Sequence, residues 1–326
     1  YKNTGELKTH LILNHLKVLF NVFNDAAVPL LFYNLEVELW PNLIRRCKAK
    51  NIPVVIVNAR MTPKTRAGYQ RFSWIAKPMI QSLNRVLARN NDDFEGYRAL
   101  GLEAEKIDVL GNLKFDIAIP DQEKAAALRS SMNIDDRKVL IAGSTHLDEE
   151  EIIVRVYSKL KAQHPELFLI VVPRHPERFH QVLEYLIVQD LRIAQMSLND
   201  EIKDKTDVLL VDKMGELQNL YGVSDIAFVG GSIVEKGGHN PLEASAYAKP
   251  VIMGPHIYNN IEVCDELIQR GGLVISGCEK ELLDTLDTWL TDETKRIEVG
   301  KQGLAAIEEH AELTEQITQK VYELIK

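Results

Sequence analysis

The fold is decided by residues 228–260, which read FVGGSIVEKGGHNPLEASAYAKPVIMGPHIYNN. A short apolar strand ends at Gly230-Gly231-Ser232, and a second glycine pair, Gly237-Gly238, leads into an alanine-rich helical run. Glycines at the carboxyl end of a strand allow backbone N–H groups and the dipole of the next helix to approach an anion closely. The stretch therefore predicts a phosphate site in an α/β domain, whereas glycines that only ease packing would produce a similar pattern.

The helix start within this stretch strengthens the prediction. Asn240 is suited to an N-cap, and Pro241 to the first helical position, because the N–H that proline lacks has no partner there. Glu243 then falls in the first turn, on the side of the helix that faces the predicted ligand.

Three other strands in the second half of the chain also end in polar turns. Residues 143–146 (GSTH) follow one apolar strand, residues 173–178 (PRHPER) follow the next, and residues 213–216 (KMGE) follow a third. The carboxyl ends of strands in an open parallel sheet converge on one crevice, and an arginine just past a strand end can hold a nucleotide. Four such ends predict a nucleotide site in the second half of the chain.

Strands and helices alternate along the whole chain, which is typical of parallel sheets. A length of 326 residues is comfortable for two hydrophobic cores. Ile119-Pro120 is the expected linker, so the sequence predicts one domain over residues 1–118 and a second over residues 119–326.

Composition indicates a soluble globular protein, with 45% hydrophobic and 26% charged residues. Residues 1–116 hold 17 Lys and Arg against 11 Asp and Glu, whereas the whole chain has a net charge of −8. The basic first half, including the loop expected at residues 59–66, predicts an anionic partner, the alternative being a chance split of solvated charges. Nucleic acid is disfavoured, because no basic run is interleaved with aromatics. The three cysteines lie far apart and form neither a disulfide framework nor a zinc motif.

The segment GGSIVEKGGHNPLEASAYAKPVIMGPH resembles the signature of the 3-deoxy-D-manno-octulosonic acid (Kdo) transferases of lipopolysaccharide synthesis. Further segments are similar to that family in the same order, from residue 34 to residue 260: LEVELWPNLI, GNLKFD, AGSTHLDEEE, VVPRHPERF and VDKMGELQNLYGVSDIAFVGG. The family carries a longer segment before LEVELWPNLI, so the first domain is expected to be shortened.

This resemblance implies a GT-B-type glycosyltransferase, in which two Rossmann-like domains face each other across a cleft. The implied reaction is an inverting transfer of Kdo from CMP-Kdo to a lipid A precursor, lipid IVA. The first domain is expected to bind the acceptor and the second to bind CMP. The expected location is the anionic cytoplasmic face of the bacterial inner membrane, with the protein peripheral or anchored at its N-terminus. No cofactor is implied, and the lack of an Asp-x-Asp motif agrees with catalysis that needs no metal.

Three residues of the first domain receive roles from the resemblance. Gly5-Glu6 resembles the Gly-Glu pair that supplies the family's catalytic base, although by composition alone Glu6 is a helix-start carboxylate. Glu36 is expected to act in catalysis with Glu38 in support, or either could simply face solvent. Lys114 is expected to bind the sugar carboxylate or the phosphate, the alternative being a surface lysine.

The second domain is expected to hold CMP-Kdo, with Glu243 on the ribose hydroxyls. The residues that the resemblance implies for this site are Ser144, Thr145, Pro173, Arg174, Met214, Gly215, Glu216, Gly231, Ser232, Asn240, Pro241, Leu242 and Glu243.

Two other functions fit the same pattern. A sugar-nucleotide epimerase of similar two-domain build would use the same nucleotide crevice without a basic acceptor face. A non-catalytic nucleotide-binding module is the other alternative, and a shortened first domain would favour it.

Overall fold

The computed structural model describes residues 32–35 and 39–323. The described chain divides into two compact units. The first comprises the residues up to Asp116 together with those from His310 onward, and the second is Ile117–Glu309. Within the described ranges, no helix is long and apolar enough to cross a membrane.

The first unit contains a four-stranded parallel sheet with the strand order β1-β2-β3-β4. Its strands are β1 (Phe32–Leu35), β2 (Val54–Ala59), β3 (Arg85–Ala88) and β4 (Ile107–Val109). Its helices are α1 (Pro41–Ala49), α2 (Pro63–Arg71), α3 (Ser73–Gln81), α4 (Asn91–Ala99) and, from the end of the chain, α13 (Leu313–Glu323).

Strand β2 is buried along its whole length, so both faces of this sheet need cover. Side chains alternate between faces along a strand. Val55 and Val57 pack against Leu313 and Ile317 of α13. The residues that alternate with them share a second cluster with apolar side chains of α1 and α3. Helix α13 therefore completes the core of the first unit, whereas the sequence suggested that the second domain extends to the last residue.

Asp116, where the first of the two stretches of the first unit ends, is bonded to the start of α13. Its carboxylate accepts hydrogen bonds from the Thr314 backbone N–H, at 2.7 Å, and from the Thr314 hydroxyl. Next to it, the buried Phe115 ring stacks edge-on against His310, with centroids 4.8 Å apart. The chain thus leaves the first unit at Asp116 and returns beside the same point.

The second half of the expected basic loop at residues 59–66 is helical. Pro63 occupies the first turn of α2, and the Thr62 hydroxyl accepts a hydrogen bond from the Thr65 N–H at 3.1 Å. A threonine N-cap followed by proline starts a helix, because neither residue leaves an unpaired donor there. Two of the three basic residues of this segment, Lys64 and Arg66, are consequently carried by α2, and Arg60 precedes it.

The second unit contains a seven-stranded sheet with the order β11-β10-β9-β5-β6-β8-β7, and all its pairings are parallel. Its strands are β5 (Lys138–Thr145), β6 (Leu167–Pro173), β7 (Ile193–Gln195), β8 (Val208–Leu210), β9 (Ile226–Val229), β10 (Val251–Met253) and β11 (Leu273–Ile275). Its helices are α5 (Gln122–Ser131), α6 (Glu149–Lys161), α7 (Phe179–Val188), α8 (Leu217–Val223), α9 (Leu242–Ser245), α10 (Ile261–Arg270), α11 (Glu279–Thr291) and α12 (Glu293–Glu308).

The central strands of this sheet read as continuous apolar runs, because helices cover both faces. Strand β6 is buried throughout, and so is β5 except at its first residue. The chain runs from β5 to β6 on one side and later places β9 on the other side of β5. The order of strands reverses at β5, and in open α/β sheets ligands bind outside the carboxyl ends at such a point.

Candidate active site

A cavity of about 330 Å³ lies at the carboxyl ends of β5, β6 and β8 and is bordered by the segment that follows β9. Its walls come from the ends of β5 and β6, from the segments that follow β6, β8 and β9, and from α8, so the predicted convergence of four strand ends is present in the structure. Of the site residues predicted from the sequence, the cavity is lined by Ser144, Pro173, Arg174, Met214, Gly215, Asn240 and Glu243.

The last residues of β5, which form a turn-like irregularity, have an unusual backbone. Ser144 has a φ of 54°, in the left-handed region that few residues other than glycine adopt. The pairing of β5 with β6 shifts register between Gly143 and Thr145. Gly230 packs onto this turn so closely that a Cβ atom at residue 230 would collide with the carbonyl oxygen of Ser144. Gly230 is therefore needed for the approach of two strand ends.

A carboxylate of the protein occupies the N–H groups of the glycine turn after β9. Glu149, at the start of α6, is 0% exposed. Its Oε2 accepts hydrogen bonds from the N–H groups of Gly231 (2.8 Å) and His146 (2.9 Å). Its Oε1 accepts from the N–H groups of Ser232 (3.0 Å) and Ile233 (2.9 Å). One buried side chain thus ties the end of β5 to the end of β9.

These bonds change the interpretation of Gly231 and Ser232. The sequence suggested that their N–H groups bind a phosphate of the ligand, but here both groups are paired with Glu149, and neither residue lines the cavity. Burial raises the pKa of Glu149, while the four N–H groups act in the opposite direction by stabilising the ionised form. The turn is held by an internal anion.

Glu150, the residue after Glu149, supports the end of β5 with a second carboxylate. Glu150 accepts a hydrogen bond from the Thr145 hydroxyl at 2.8 Å and two from the Arg178 guanidinium at 2.8 and 3.1 Å. Thr145 is fully buried. Thr145 therefore lies behind the cavity wall and stabilises the turn, rather than pointing into the cavity as the sequence suggested.

The other predicted residues either cap the start of α9 or support the cavity. Asn240 Oδ1 accepts the N–H of Leu242 at 3.1 Å, so Asn240 caps the segment, although α9 begins at Leu242, one residue later than expected. Pro241 and Leu242 are buried, and neither lines the cavity. Glu216 forms an ion pair with Lys213 at 2.9 Å, and of these two it is Lys213 that lines the cavity.

Glu243 is the acidic residue of the cavity wall within the part of the chain that is described. Burial raises its pKa, and the positive charge of Arg174 acts in the opposite direction. Burial and the nearby Glu243 also raise the pKa of Tyr221, whose ring lines the same cavity. A half-buried carboxylate opposite an arginine can accept hydrogen bonds from ligand hydroxyls while the arginine binds an anion.

Three histidines cluster at the edge of the cavity, and the sequence predicted a binding or catalytic role for none of them. His239 lines the cavity, and its Nε2 lies 2.9 Å from Nε2 of His146. His175 contacts His146 edge-on, with centroids 5.1 Å apart. Each follows one of the four strand ends, which is the signal that could have found them. Nowhere in residues 39–323 do three or more His, Cys, Asp or Glu side chains form a group that could hold a metal.

Lys114 belongs to the first unit and is exposed. Its N–H donates to Asn112 Oδ1 at 3.2 Å, and the N–H of Leu113 donates to Asn58 Oδ1 at 3.0 Å. The GNLKFD segment is therefore fixed through its backbone and through the buried Phe115, while the lysine side chain faces outward. Glu6 and Glu36, the other two predicted catalytic residues, lie outside the described residues.

Comparison with known proteins first establishes the class. Residues 133–305 match the family of group 1 glycosyl transferases. A similar fold occurs in the UDP-GlcNAc 2-epimerase of Neisseria meningitidis, with a TM-score of 0.52 and 13% identity, covering 94% of this chain and 80% of that one. The protein is a glycosyltransferase with two Rossmann-like domains of the GT-B type, and the fold class predicted from the sequence is confirmed.

The relatives then establish the family. Residues 14–117 match the 3-deoxy-D-manno-octulosonic-acid transferase (kdotransferase) family. The transferase of that name from Haemophilus influenzae is 37% identical over 291 residues, covering 88% of this chain and 68% of the relative. A bifunctional glycosyltransferase/methyltransferase of Fusobacterium nucleatum is 38% identical, covering 78% of this chain but 40% of the relative. The crystal structure of the C-terminal CMP-Kdo binding domain of WaaA from Acinetobacter baumannii is similar at a TM-score of 0.55 and 32% identity, covering 57% of this chain and 97% of that domain. The chain belongs to the Kdo transferase family.

Proposed function

We propose that this protein transfers Kdo from CMP-Kdo to lipid IVA, with inversion, at the cytoplasmic face of the bacterial inner membrane. One observation carries the proposal. The cavity at the strand ends of the second unit presents Arg174 and Glu243 together, in the unit that is similar to a CMP-Kdo binding domain. The epimerase shares the fold at 13% identity, and a shared fold does not indicate a shared reaction.

In this proposal the cavity holds the CMP part of the donor. Arg174 and Lys213 line it and offset the charge of the single phosphate. Glu243 accepts hydrogen bonds from the ribose hydroxyls, which suits a carboxylate that is half-buried and close to Arg174. Met214 and Gly215 form the wall contributed by the turn after β8.

The proposed reaction is a single displacement. Glu6 accepts the proton of the acceptor hydroxyl as that oxygen bonds to the anomeric carbon, and CMP leaves with the electron pair of the broken C–O bond. Glu36 is the second carboxylate proposed for this step. Lys114, exposed on a fixed segment, is proposed to bind the carboxylate of Kdo or the phosphate.

The first unit is proposed to meet the lipid acceptor at an anionic membrane surface. Residues 39–91 contain 11 Lys and Arg and no Asp or Glu. Where α2 meets α3, the same segment exposes Phe72 (55%), between the two helices, and Trp74 (76%), in the first turn of α3. Each cation near acidic lipid contributes about 1 kcal/mol, and aromatic rings favour the interface between headgroups and acyl chains. This combination supports peripheral attachment.

Release of CMP from CMP-Kdo, generated in situ and supplied with lipid IVA, tests the reaction. Glu6→Gln should bind CMP like the original protein while turnover falls ~10²–10⁴-fold, because a positioned base is lost. Turnover of Glu6→Gln within a few-fold of the original would place the base elsewhere. Conversion of UDP-N-acetylglucosamine to its 2-epimer, with no release of CMP in the first assay, would favour the epimerase instead.

Sedimentation with vesicles that contain acidic lipid tests the membrane surface. Reversing the charges of Arg45, Arg46 and Lys48 should weaken binding, and so should added salt. The matched control reverses three exposed lysines of the second unit, Lys280, Lys295 and Lys301, and should bind almost as the original does. Equal losses in both triple variants would mean that net charge, rather than this surface, controls attachment.

A further inference from the structure

His146 and His239 form a pair at the edge of the cavity. Their Nε2 atoms are 2.9 Å apart, and the two rings are nearly parallel, with an interplanar angle of 5°. The first residue comes from the end of β5 and the second from the segment after β9, so the pair crosses the point where the order of strands reverses. His239 borders the cavity, whereas His146 lies behind it at 8% exposure.

Backbone contacts hold both rings in place. The N–H of His146 is bonded to Glu149, and the N–H of His239 donates to the Gly230 carbonyl at 3.0 Å. A Cβ atom at Gly231 would lie 3.1 Å from Cδ2 and 3.3 Å from Nε2 of His239, so a glycine there gives the ring its space. The internal anion Glu149 thus fixes the two turns from which the histidines project.

Both rings are held neutral near pH 7. Burial, His239, His175 and nearby cations lower the pKa of His146 to about 4. Burial, Arg174 and His175 lower the pKa of His239. A hydrogen bond between two neutral imidazoles needs one Nε2 that carries a hydrogen and one that accepts it, so the tautomer of each ring is fixed by the other.

We propose that His239 donates a hydrogen bond from Nδ1 to the anionic phosphate of a cytidine nucleotide and takes up a proton when that ligand binds. His146 is its positioning residue and accepts the Nε2–H of His239. The inference rests on the proposed function for the identity of the ligand. It adds a binding residue and a change of protonation to that site.

The two rings carry two ring N–H hydrogens without ligand and three with it. Without ligand, the pair shares one hydrogen between the two Nε2 atoms, and each ring is neutral. On binding, one proton from solvent joins the pair, so that His239 carries hydrogens on both nitrogens and His146 carries one, on Nδ1. The added positive charge of His239 is compensated by the negative charge of the ligand.

The surrounding charges favour this change only when an anion is present. Arg174 and Lys213 line the cavity with His239, and Arg178 and Lys236 act on His146. Two carboxylates lie near the pair. Glu149 accepts hydrogen bonds from four N–H groups, and Glu243 is the acidic residue among the described residues that line the cavity. Cations are in excess around the pair, and their positive charge opposes its protonation. A bound phosphate offsets that charge and so allows the pair to take up a proton. His239 takes the proton because it borders the cavity, whereas His146 is buried.

Calorimetry with the methyl phosphodiester of CMP tests the proposal. This probe keeps a single negative charge across the pH range, whereas CMP itself loses a second proton near pH 6. Titrations at pH 6 to 8, in buffers with different ionisation enthalpies, should reveal uptake of up to one proton. The affinity should rise as the pH falls, by at most about tenfold per pH unit. Cytidine, which lacks the anion, should bind without proton uptake.

Variants of the two histidines identify which residue takes up the proton. His239→Gln should bind the probe without proton uptake and with an affinity that no longer depends on pH. His146→Gln keeps an acceptor oxygen near the position of Nε2 and should retain the uptake, whereas His146→Leu should lose it. His180→Gln is the matched control, because His180 is 81% exposed on α7, and it should behave as the original protein does.

The outcomes separate the two proposals. Binding of the probe without proton uptake at any pH, or uptake that survives in His239→Gln, overturns the inference and leaves the nucleotide site intact. No binding of the probe or of CMP to the original protein overturns both. If His146→Leu does not fold, the comparison of His239→Gln with His180→Gln still decides.

Discussion

The two halves of the glycine-rich stretch after β9 differ in what they contact. Gly230 to Ile233 is paired within the protein, because Glu149 occupies three successive N–H groups. His239 to Glu243, a few residues later, borders the cavity through His239, Asn240 and Glu243. The first half contains a glycine pair and the second directly follows one, Gly237-Gly238, yet the first half supports the site and the second forms its wall.

This difference shows that a glycine turn at a strand end does not identify an anion site on its own. Buried N–H groups must find partners, and a carboxylate from the next helix satisfies them as well as a phosphate would. Here the partner is Glu149, the first residue of α6. The useful question is therefore where the N–H groups of the turn are directed.

The largest effect should come from Glu149→Gln. Each oxygen of Glu149 accepts two N–H groups, so an amide NH₂ in place of one oxygen would face two donors. Two buried N–H groups left without an acceptor cost about 2–6 kcal/mol of unfolding free energy, at 1–3 kcal/mol each. Urea unfolding of the second unit, followed by fluorescence, measures the change.

Glu151→Gln provides the matched control for that variant. Glu151 lies in the same first turn of α6 but is exposed, and its substitution should change stability by no more than about 0.5 kcal/mol. Similar stability of Glu149→Gln and Glu151→Gln would mean that the turn after β9 needs no internal anion.

Glu243→Gln should instead affect ligand binding. Loss of a charge-assisted hydrogen bond should weaken CMP binding by about 1.5–3 kcal/mol, measured by calorimetry. Stability should not fall at neutral pH. Because burial raises the pKa of Glu243, the folded protein favours its neutral form, and unfolding free energy should rise as the pH falls towards the ordinary carboxyl pKa. An unchanged dissociation constant would remove Glu243 from the site.

His146 links the two halves, and its contribution should be visible as a pH dependence. Burial and neighbouring charges lower its pKa from 6.5 to about 4, so between these values the unfolded chain binds a proton that the folded chain does not. Unfolding free energy of the ligand-free protein should therefore fall as the pH drops from about 6.5 to about 4. His146→Gln should flatten this decline by about 1–2 kcal/mol, a value discounted for screening by solvent in the neighbouring cavity. An equal decline in both proteins would assign it to other groups.

The smallest effect should follow substitution of the cap. Asn240→Ala removes the acceptor of the Leu242 N–H and should cost about 1 kcal/mol of stability. Asn240→Asp keeps an acceptor oxygen and should restore most of it, as thermal unfolding would reveal. Equal melting temperatures for the alanine and aspartate variants would show that the cap does not stabilise α9.

Much of the second unit could be predicted from its sequence. The apolar runs of β5 and β6 and the polar turns that follow four strands were sufficient to place the cavity, because parallel strands all end on one side of the sheet. The occupation of Gly231 and Ser232 could not be predicted. Acidic residues at the start of α6 are also typical of any helix that complements its dipole.

The position of α13 could not be predicted from the sequence either. Its apolar residues have ordinary helical spacing, which does not specify the sheet they cover. Only the burial of β2 on both faces, with Val55 and Val57 against Leu313, decides it. The histidine pair depends on a distance between residues 93 positions apart, and neither residue alone signals the other.

The return of the chain to its first unit also has a consequence for synthesis on the ribosome. Domains usually fold in the order in which they are made, at about 5–20 residues per second. Here Val55, Val57 and Leu87 are covered by α13, which is made after the whole second unit, so that sheet face stays uncovered for roughly 10–40 s after residue 116 is added. The second unit is complete before the first, and the nascent chain has to protect an apolar sheet face until α13 emerges.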